Sequence, residues 1–127
     1  VVLPLHPRTR AALEAYDLLS AAERDLIVTE PVGYVDFVRL MSESQLIVTD
    51  SGGVQKEALF LNVPCVTLRE ETEWNETVET GWNVLVGADR SRLRRALQEQ
   101  SAGDADATPY GDGTAADAIC SVLDSHY

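Results

Sequence analysis

Lysine is nearly absent from this chain: nine of its ten basic residues are arginine, Lys56 stands alone, and 21 side chains are acidic. The formal charge of −11 excludes the cationic footprint that nucleic acid or an anionic membrane requires. An anionic ligand must therefore be held by a few local groups against the overall field. Acidic excess with scarce lysine is also what a salt-adapted cytoplasm favours. Cysteine is sparse too. Cys65 and Cys120 have no CxxC spacing, and Cys65 sits in the apolar run VPCVTL, so a buried, reduced thiol and a cytoplasmic location are expected. No apolar run approaches the ~18 residues of a membrane span, and no basic-then-apolar leader is present, so neither a span nor a signal peptide is expected. The phosphate-loop pattern GxxxxGK[ST], the dinucleotide pattern GxGxxG, a Ser-His-Asp spacing and a Cys-His pairing are all missing.

What is present is an alternation. Short apolar runs at 1–5, 26–29, 45–49, 64–68 and 83–87 read as strands, separated by helical patterns such as PRTRAALEAYDLL, YVDFVRLMSES, GGVQKEALFLN and NETVETG. SRLRRALQEQ and TAADAICSVLDSH close the chain, with a Gly/Asp/Ala-rich loop at 101–113 before the last helix. Leu13, Tyr16 and Leu19 fit one helical face, as do Leu93 and Leu97. Strands alternating with helices at this pitch predict an α/β fold, a doubly wound parallel sheet, here as one layer without a second domain. The 127 residues suit one core. The chain opens on VVLPLHP, already in a strand pattern and without an initiator Met, so a piece of a longer protein is expected.

In an open parallel sheet, ligands bind beyond the carboxyl ends of the strands. The run LIVTDSGGVQKE puts Asp50-Ser51-Gly52-Gly53 at such an end. Glycines let backbone N–H groups approach a ligand closely, and the following helix presents its unpaired amides and positive dipole end. Together with the Ser51 hydroxyl these favour a phosphate. Glu57, one turn on, suits two vicinal sugar hydroxyls. The same residues also suit an ordinary strand-to-helix turn, with Asp50 or Ser51 as N-cap and Glu57 solvated.

Other strand ends carry further candidates. Val32 (through its backbone) and Phe37 follow the second strand, where a base can stack or hydrogen bond, although Phe37 equally suits core packing. Arg69 follows the fourth strand and can pair with a diphosphate or with Glu70 or Glu73. Glu70, Glu71, Glu73, Glu76 and Glu79 read as a solvated, dipole-matched face and not as a metal site. Trp74 and Trp82 read as packing anchors. His6 ends the first strand, in reach of an anionic ligand or in a structural role.

TDSGGVQKEALFLNVPCVTLREETEWNETVETGWNVLVG (49–87) strongly resembles the non-hydrolysing UDP-N-acetylglucosamine 2-epimerases. PLHPRT, YVDFVRLM and PYGDGTAADAI (109–119) resemble that family in the same order. The resemblance implies a Rossmann-like domain, the second of two in a GT-B type architecture, of which 1–127 is most and the N-terminal domain is absent. It implies that Ser51, Gly52 and Gly53 bind the diphosphate of UDP, that Glu57 holds the ribose hydroxyls, that Arg69 lies near the phosphates, and that Val32 and Phe37 border the uracil. His6 matches a position implicated in binding a second, regulatory UDP-sugar in some members.

The implied reaction interconverts UDP-N-acetylglucosamine and UDP-N-acetylmannosamine without metal or redox cofactor, by elimination and re-addition of UDP. The family's acid/base carboxylates belong to the first domain and a further histidine precedes Val1, so no catalytic residue is expected in this chain, which alone should not epimerise. A homodimer is implied for the parent. Two other readings fit the same pattern: a UDP-sugar glycosyltransferase of GT-B architecture, and a non-catalytic nucleotide-sugar-binding domain.

Overall fold

Three of the five strands are spelled almost alike, Ile-Val-Thr, Ile-Val-Thr and Cys-Val-Thr, and β-branched residues suit a pleated, covered surface. In the computed structural model, which describes residues 1–126, each predicted strand is present but only three residues long: β1 (Val2–Pro4), β2 (Ile27–Thr29), β3 (Ile47–Thr49), β4 (Cys65–Thr67) and β5 (Asn83–Leu85). The helices are α1 (Pro7–Ala15), α2 (Leu19–Asp25), α3 (Tyr34–Ser42), α4 (Gly52–Phe60), α5 (Asn75–Glu79), α6 (Arg90–Glu99) and α7 (Ala115–His126).

All strand pairs are parallel, as expected, and their hydrogen bonding falls into two groups: β1–β2, and β3–β4–β5. The pairing follows the crossovers. β1-α1-α2-β2 closes one unit within Val1–Leu40, and β3-α4-β4-α5-β5 closes another in the chain from Met41.

In the first unit Ile27 pairs with Val2, and Leu5 N–H donates to Thr29 O at 2.9 Å. The helical stretch after β1 is split. Asp17 takes a left-handed backbone (φ 55°), Leu18 N–H returns to Leu13 O at 2.8 Å, and Asp17 N–H to Glu14 O at 3.1 Å. This is a Schellman termination, with aspartate at the position glycine usually takes. Leu13, Tyr16 and Leu19 therefore do not share one helical face; Tyr16 is 76% exposed.

In the second unit β4 is central, and all three of its residues are buried. Val66, Val86 and Ala96 form a core cluster against which Leu46, Val84 and Leu93 pack. Each full burial of a side chain the size of valine contributes roughly 1.5–3 kcal/mol. On α6 the inward face is Leu93 and Ala96; Leu97, expected beside Leu93, is half exposed. Trp82 is buried, and its Nε1–H donates to Asp104 O at 3.0 Å, which anchors the 101–113 loop. Burial pushes the Cys65 thiol up to about 11, so it is a neutral apolar side chain at ordinary pH. Along α7 the apolar residues Ile119, Val122 and Leu123 are exposed.

Candidate functional site

The carboxyl ends of β3 and β4 meet through their register, Thr49 opposite Thr67. Beyond β3 the chain turns sharply: Ser51 N–H donates to the Thr49 hydroxyl at 3.0 Å, and α4 starts at Gly52. Ser51 is the N-cap residue of α4, with extended backbone (φ −82°, ψ 130°), yet its side chain makes no capping bond. Serine is among the best caps because its oxygen satisfies a first-turn amide. Here that oxygen is not used so, and the turn of Ser51 and Gly53 is exposed. A helix N-terminus left in this state offers amide donors and a positive dipole end to an anion.

The two glycines differ. A β-carbon on Gly52 would collide with the Glu73 carboxylate and lie 3.4 Å from Trp74 Nε1. Gly52 is thus fixed by the close approach of the 72–74 loop. A β-carbon on Gly53 would meet nothing nearer than Ser51 Oγ, at 4.0 Å. Packing within the chain does not require glycine there, so the missing side chain keeps the surface above the amides clear.

Beyond β4, Arg69 Nη1 donates to Glu73 Oε2 at 3.1 Å, one of the two pairings open to it in the sequence. Glu70 instead pairs with Arg92 at 3.3 Å, and Glu76 accepts from Tyr110 Oη at 3.1 Å. The acidic run is therefore distributed among separate partners. Both side chains of the Arg69–Glu73 pair are partly exposed, so the pair is weak and open to exchange. It brings a carboxylate against Gly52, at the mouth of the α4 terminus.

Trp74 does more than pack. Lys56 Nζ lies 3.8 Å from the centre of its ring, and Tyr110 meets it edge-on at 6.1 Å. Its Nε1–H is buried and, among the described residues, has no hydrogen-bond partner. Burial and then the bond to Glu76 push the Tyr110 hydroxyl up to about 12, keeping it a donor. Glu57 sits half-buried in α4, one turn beyond Gly53.

Ser51, Gly52, Gly53, Glu57 and Arg69 thus belong to the second unit, on α4 and the segment after β4. His6, Val32 and Phe37 belong to the first. His6 caps α1, its Nδ1 accepting from Arg8 N–H at 3.2 Å, which gives it a structural task of its own. Val32 is 40% exposed between β2 and α3, and Phe37 is half-buried on α3.

The family model for UDP-N-acetylglucosamine 2-epimerase matches residues 1–124. The chain belongs to that family. A UDP-N-acetylglucosamine 2-epimerase homolog of Methanococcus maripaludis is 43% identical over 97% of this chain. A UDP-2,3-diacetamido-2,3-dideoxy-D-glucuronate 2-epimerase of Pseudomonas aeruginosa is 46% identical over the same share. The structure of the Methanocaldococcus jannaschii UDP-GlcNAc 2-epimerase in complex with UDP-GlcNAc and UDP superposes with a TM-score of 0.86 at 38% identity, over 98% of this chain. The fold is accordingly Rossmann-like α/β, of the kind found in GT-B type epimerases. The chain spans about 35% of the length of these family members.

Sequence reasoning missed a buried polar cluster beneath the turn: Gln55, Thr67 and Thr77 are fully buried, and Asn83 is 3% exposed. Its signal was a glutamine on the inward face of a helix that otherwise buries Ala58 and Leu59.

Proposed function

We propose that this chain is the UDP-binding C-terminal portion of an isomerase that inverts carbon 2 of a UDP-sugar, interconverting UDP-N-acetylglucosamine and UDP-N-acetylmannosamine. On this reading residues 1–127 are most of the second Rossmann-like domain. The observation that carries it is Ser51, an N-cap serine with no capping bond, at the mouth of a helix in a fold shared with a UDP-bound relative.

The chemistry assigned to the chain is leaving-group stabilisation. Loss of the proton at carbon 2 and cleavage of the bond from carbon 1 to the diphosphate oxygen give a 2-acetamidoglucal and UDP. The negative charge that develops on the diphosphate is met by the α4 amides, the Ser51 hydroxyl and Arg69, already oriented before the reaction. Arg69 exchanges Glu73 for phosphate. Glu57 takes the ribose hydroxyls; Val32 and Phe37, in the first unit, are assigned to the uracil from the family resemblance alone. Held in place, UDP returns to carbon 1 while a proton is delivered to the other face of carbon 2. The groups that move this proton are assigned to the preceding domain. His6 is assigned, from the family resemblance alone, to a second, regulatory UDP-sugar. That resemblance also supports a homodimer, and the two cysteines without CxxC spacing support a cytoplasmic location. Among the described residues, no helix is long and apolar enough to cross a membrane.

A second reading of the sugar is favoured by the 46% identity to the diacetamido-glucuronate enzyme. The diphosphate chemistry is common to both. The test offers both UDP-sugars to the full-length protein in deuterated water. Epimerised product carrying deuterium at carbon 2, with no acceptor present, supports the reading, and the better substrate names the sugar. Transfer of the sugar to an acceptor, or failure of the protein to bind UDP, overturns it. The isolated chain is expected to bind UDP weakly and not to epimerise.

A further inference from the structure

Beneath the exposed turn the buried amides of Gln55 and Asn83 and the hydroxyls of Thr67, Thr72 and Thr77 form a closed network. Gln55 Oε1 accepts from Thr72 Oγ1 at 2.6 Å and from Asn83 Nδ2 at 3.1 Å, while Gln55 Nε2 donates to Ser51 O at 3.3 Å. Asn83 Oδ1 accepts from Thr67 Oγ1 at 2.7 Å, and Asn83 Nδ2 also donates to Thr77 Oγ1 at 3.1 Å. Two arms leave this network for the surface. One is the Gln55 bond to Ser51 O. The other runs through Thr72 Oγ1, which accepts from Trp74 N–H at 3.0 Å, and through Thr77 Oγ1, which donates to Trp74 O at 2.7 Å.

The first arm has a direct geometric consequence. Ser51 C=O and Gly52 N–H lie in one trans peptide plane and point in opposite directions. Holding the carbonyl inward, toward the Gln55 side chain, aims the Gly52 amide outward, away from the helix. The second arm fixes the Trp74 backbone, and with it the 72–74 segment that carries Glu73 and the Trp74 indole against Gly52. A buried polar network with every member bonded sets one geometry, where an apolar filling of the same volume would permit several. β4 and β5 supply its base through Thr67 and Asn83, so the turn is referenced to the sheet and not only to its own helix.

We propose that Gln55 and Thr72 are positioning residues for the nucleotide diphosphate, orienting the Ser51–Gly52 peptide and the 72–74 loop without touching the ligand. This deepens the UDP-binding reading and rests on it. It differs from a purely structural role in what it separates: the diphosphate contact depends on the network, and the nucleoside contact does not.

The test uses the full-length protein and three variants: Gln55→Met, which keeps the volume, Thr72→Val, and the control Trp82→Phe, which removes the buried bond to Asp104 O in another part of the unit. UDP and uridine are titrated into each by NMR, with melting temperatures measured alongside. Gln55→Met and Thr72→Val are expected to weaken UDP binding about tenfold or more, as sub-ångström misplacement of binding groups does. Both are expected to leave uridine binding within twofold and to move the Gly52 amide resonance before nucleotide is added. Trp82→Phe is expected to lower the melting temperature without changing either affinity. Equal loss of UDP and uridine binding, or unchanged UDP binding in folded Thr72→Val, overturns the proposal. Failure of the unsubstituted protein to bind UDP overturns instead the reading on which it rests. Thr72 is only half-buried, so its variant carries the test if Gln55→Met does not fold.

Discussion

α4 and α6 both start just beyond strands of the same sheet, but their N-termini are treated in opposite ways. Asp89 caps α6 fully, its Oδ1 accepting from Ser91 N–H at 2.7 Å and from Arg92 N–H at 2.9 Å. These bonds hold its carboxyl below the usual carboxylate range. Ser51 occupies the same position on α4 and makes no capping bond. One helix is capped by its own N-cap carboxylate; the other leaves its N-cap serine unbonded, with Gly53 exposed beside it. Helix N-termini satisfied by the chain stabilise the fold; those left open keep amide donors available to an anion.

The sharpest way to break this contrast is Gly53→Ala. Gly to Ala inside a helix stabilises by roughly 0.5–1 kcal/mol, and there is room for the methyl in the free protein. The same methyl covers the amides. UDP affinity is expected to fall on the order of 100-fold while stability rises or holds, since a donor turned to charge is worth that much. Calorimetric titration paired with denaturant unfolding reads both. A fall in both would mean that Gly53 serves the fold.

Ser51→Ala is next. An ordinary N-cap loses about 1 kcal/mol on this change, but Ser51 has no capping bond to lose. Unfolding should therefore be nearly unaffected, while UDP binding weakens about tenfold through the lost charge-assisted bond. A full capping penalty would erase the contrast with Asp89.

Asp89→Ala is expected to do the reverse: stability falls at neutral pH and UDP affinity does not change. Because the folded-state pKa is lowered, the contribution of Asp89 is complete above the unfolded value of about 4. It is lost as pH falls through the lower folded value, so the difference between parent and variant should shrink only in acid. Urea unfolding at several pH values checks the sign; a difference that grew in acid would contradict the capping role.

Glu73→Gln should give the smallest effect. It removes the carboxylate that stands against Gly52 and frees Arg69 from its partner. UDP affinity is expected to rise about two- to fivefold, the range of a partly exposed ion pair. Weaker binding would show that Glu73 assists the site and does not compete for it.

Much of this was legible in the sequence. Every strand was located, because Ile-Val-Thr runs bounded by helical patterns leave few alternatives. The turn at Asp50–Gly53 stood out, because a serine and two glycines after a strand are unusual whatever follows. Other features were not. Asp17 ends α1 in a left-handed conformation that the sequence does not mark with glycine, so one helix was expected where two exist. The partners of Glu70 and Glu76 are Arg92 and Tyr110, 22 and 34 residues away, which local spacing cannot find.

The sequence by itself determined the order of the strands, the parallel sense of their pairing and the place of the Asp50–Gly53 turn, since periodicity and turn chemistry act over neighbouring residues. Only the tertiary structure decided that the strands' hydrogen bonding falls into two groups, that Ser51 leaves its helix uncapped, and that Gln55 reaches Ser51, Thr72 and Asn83 together. Those outcomes depend on which distant groups a fold brings within bonding distance, and a hydrogen bond reaches about 3 Å in space whatever the separation along the chain.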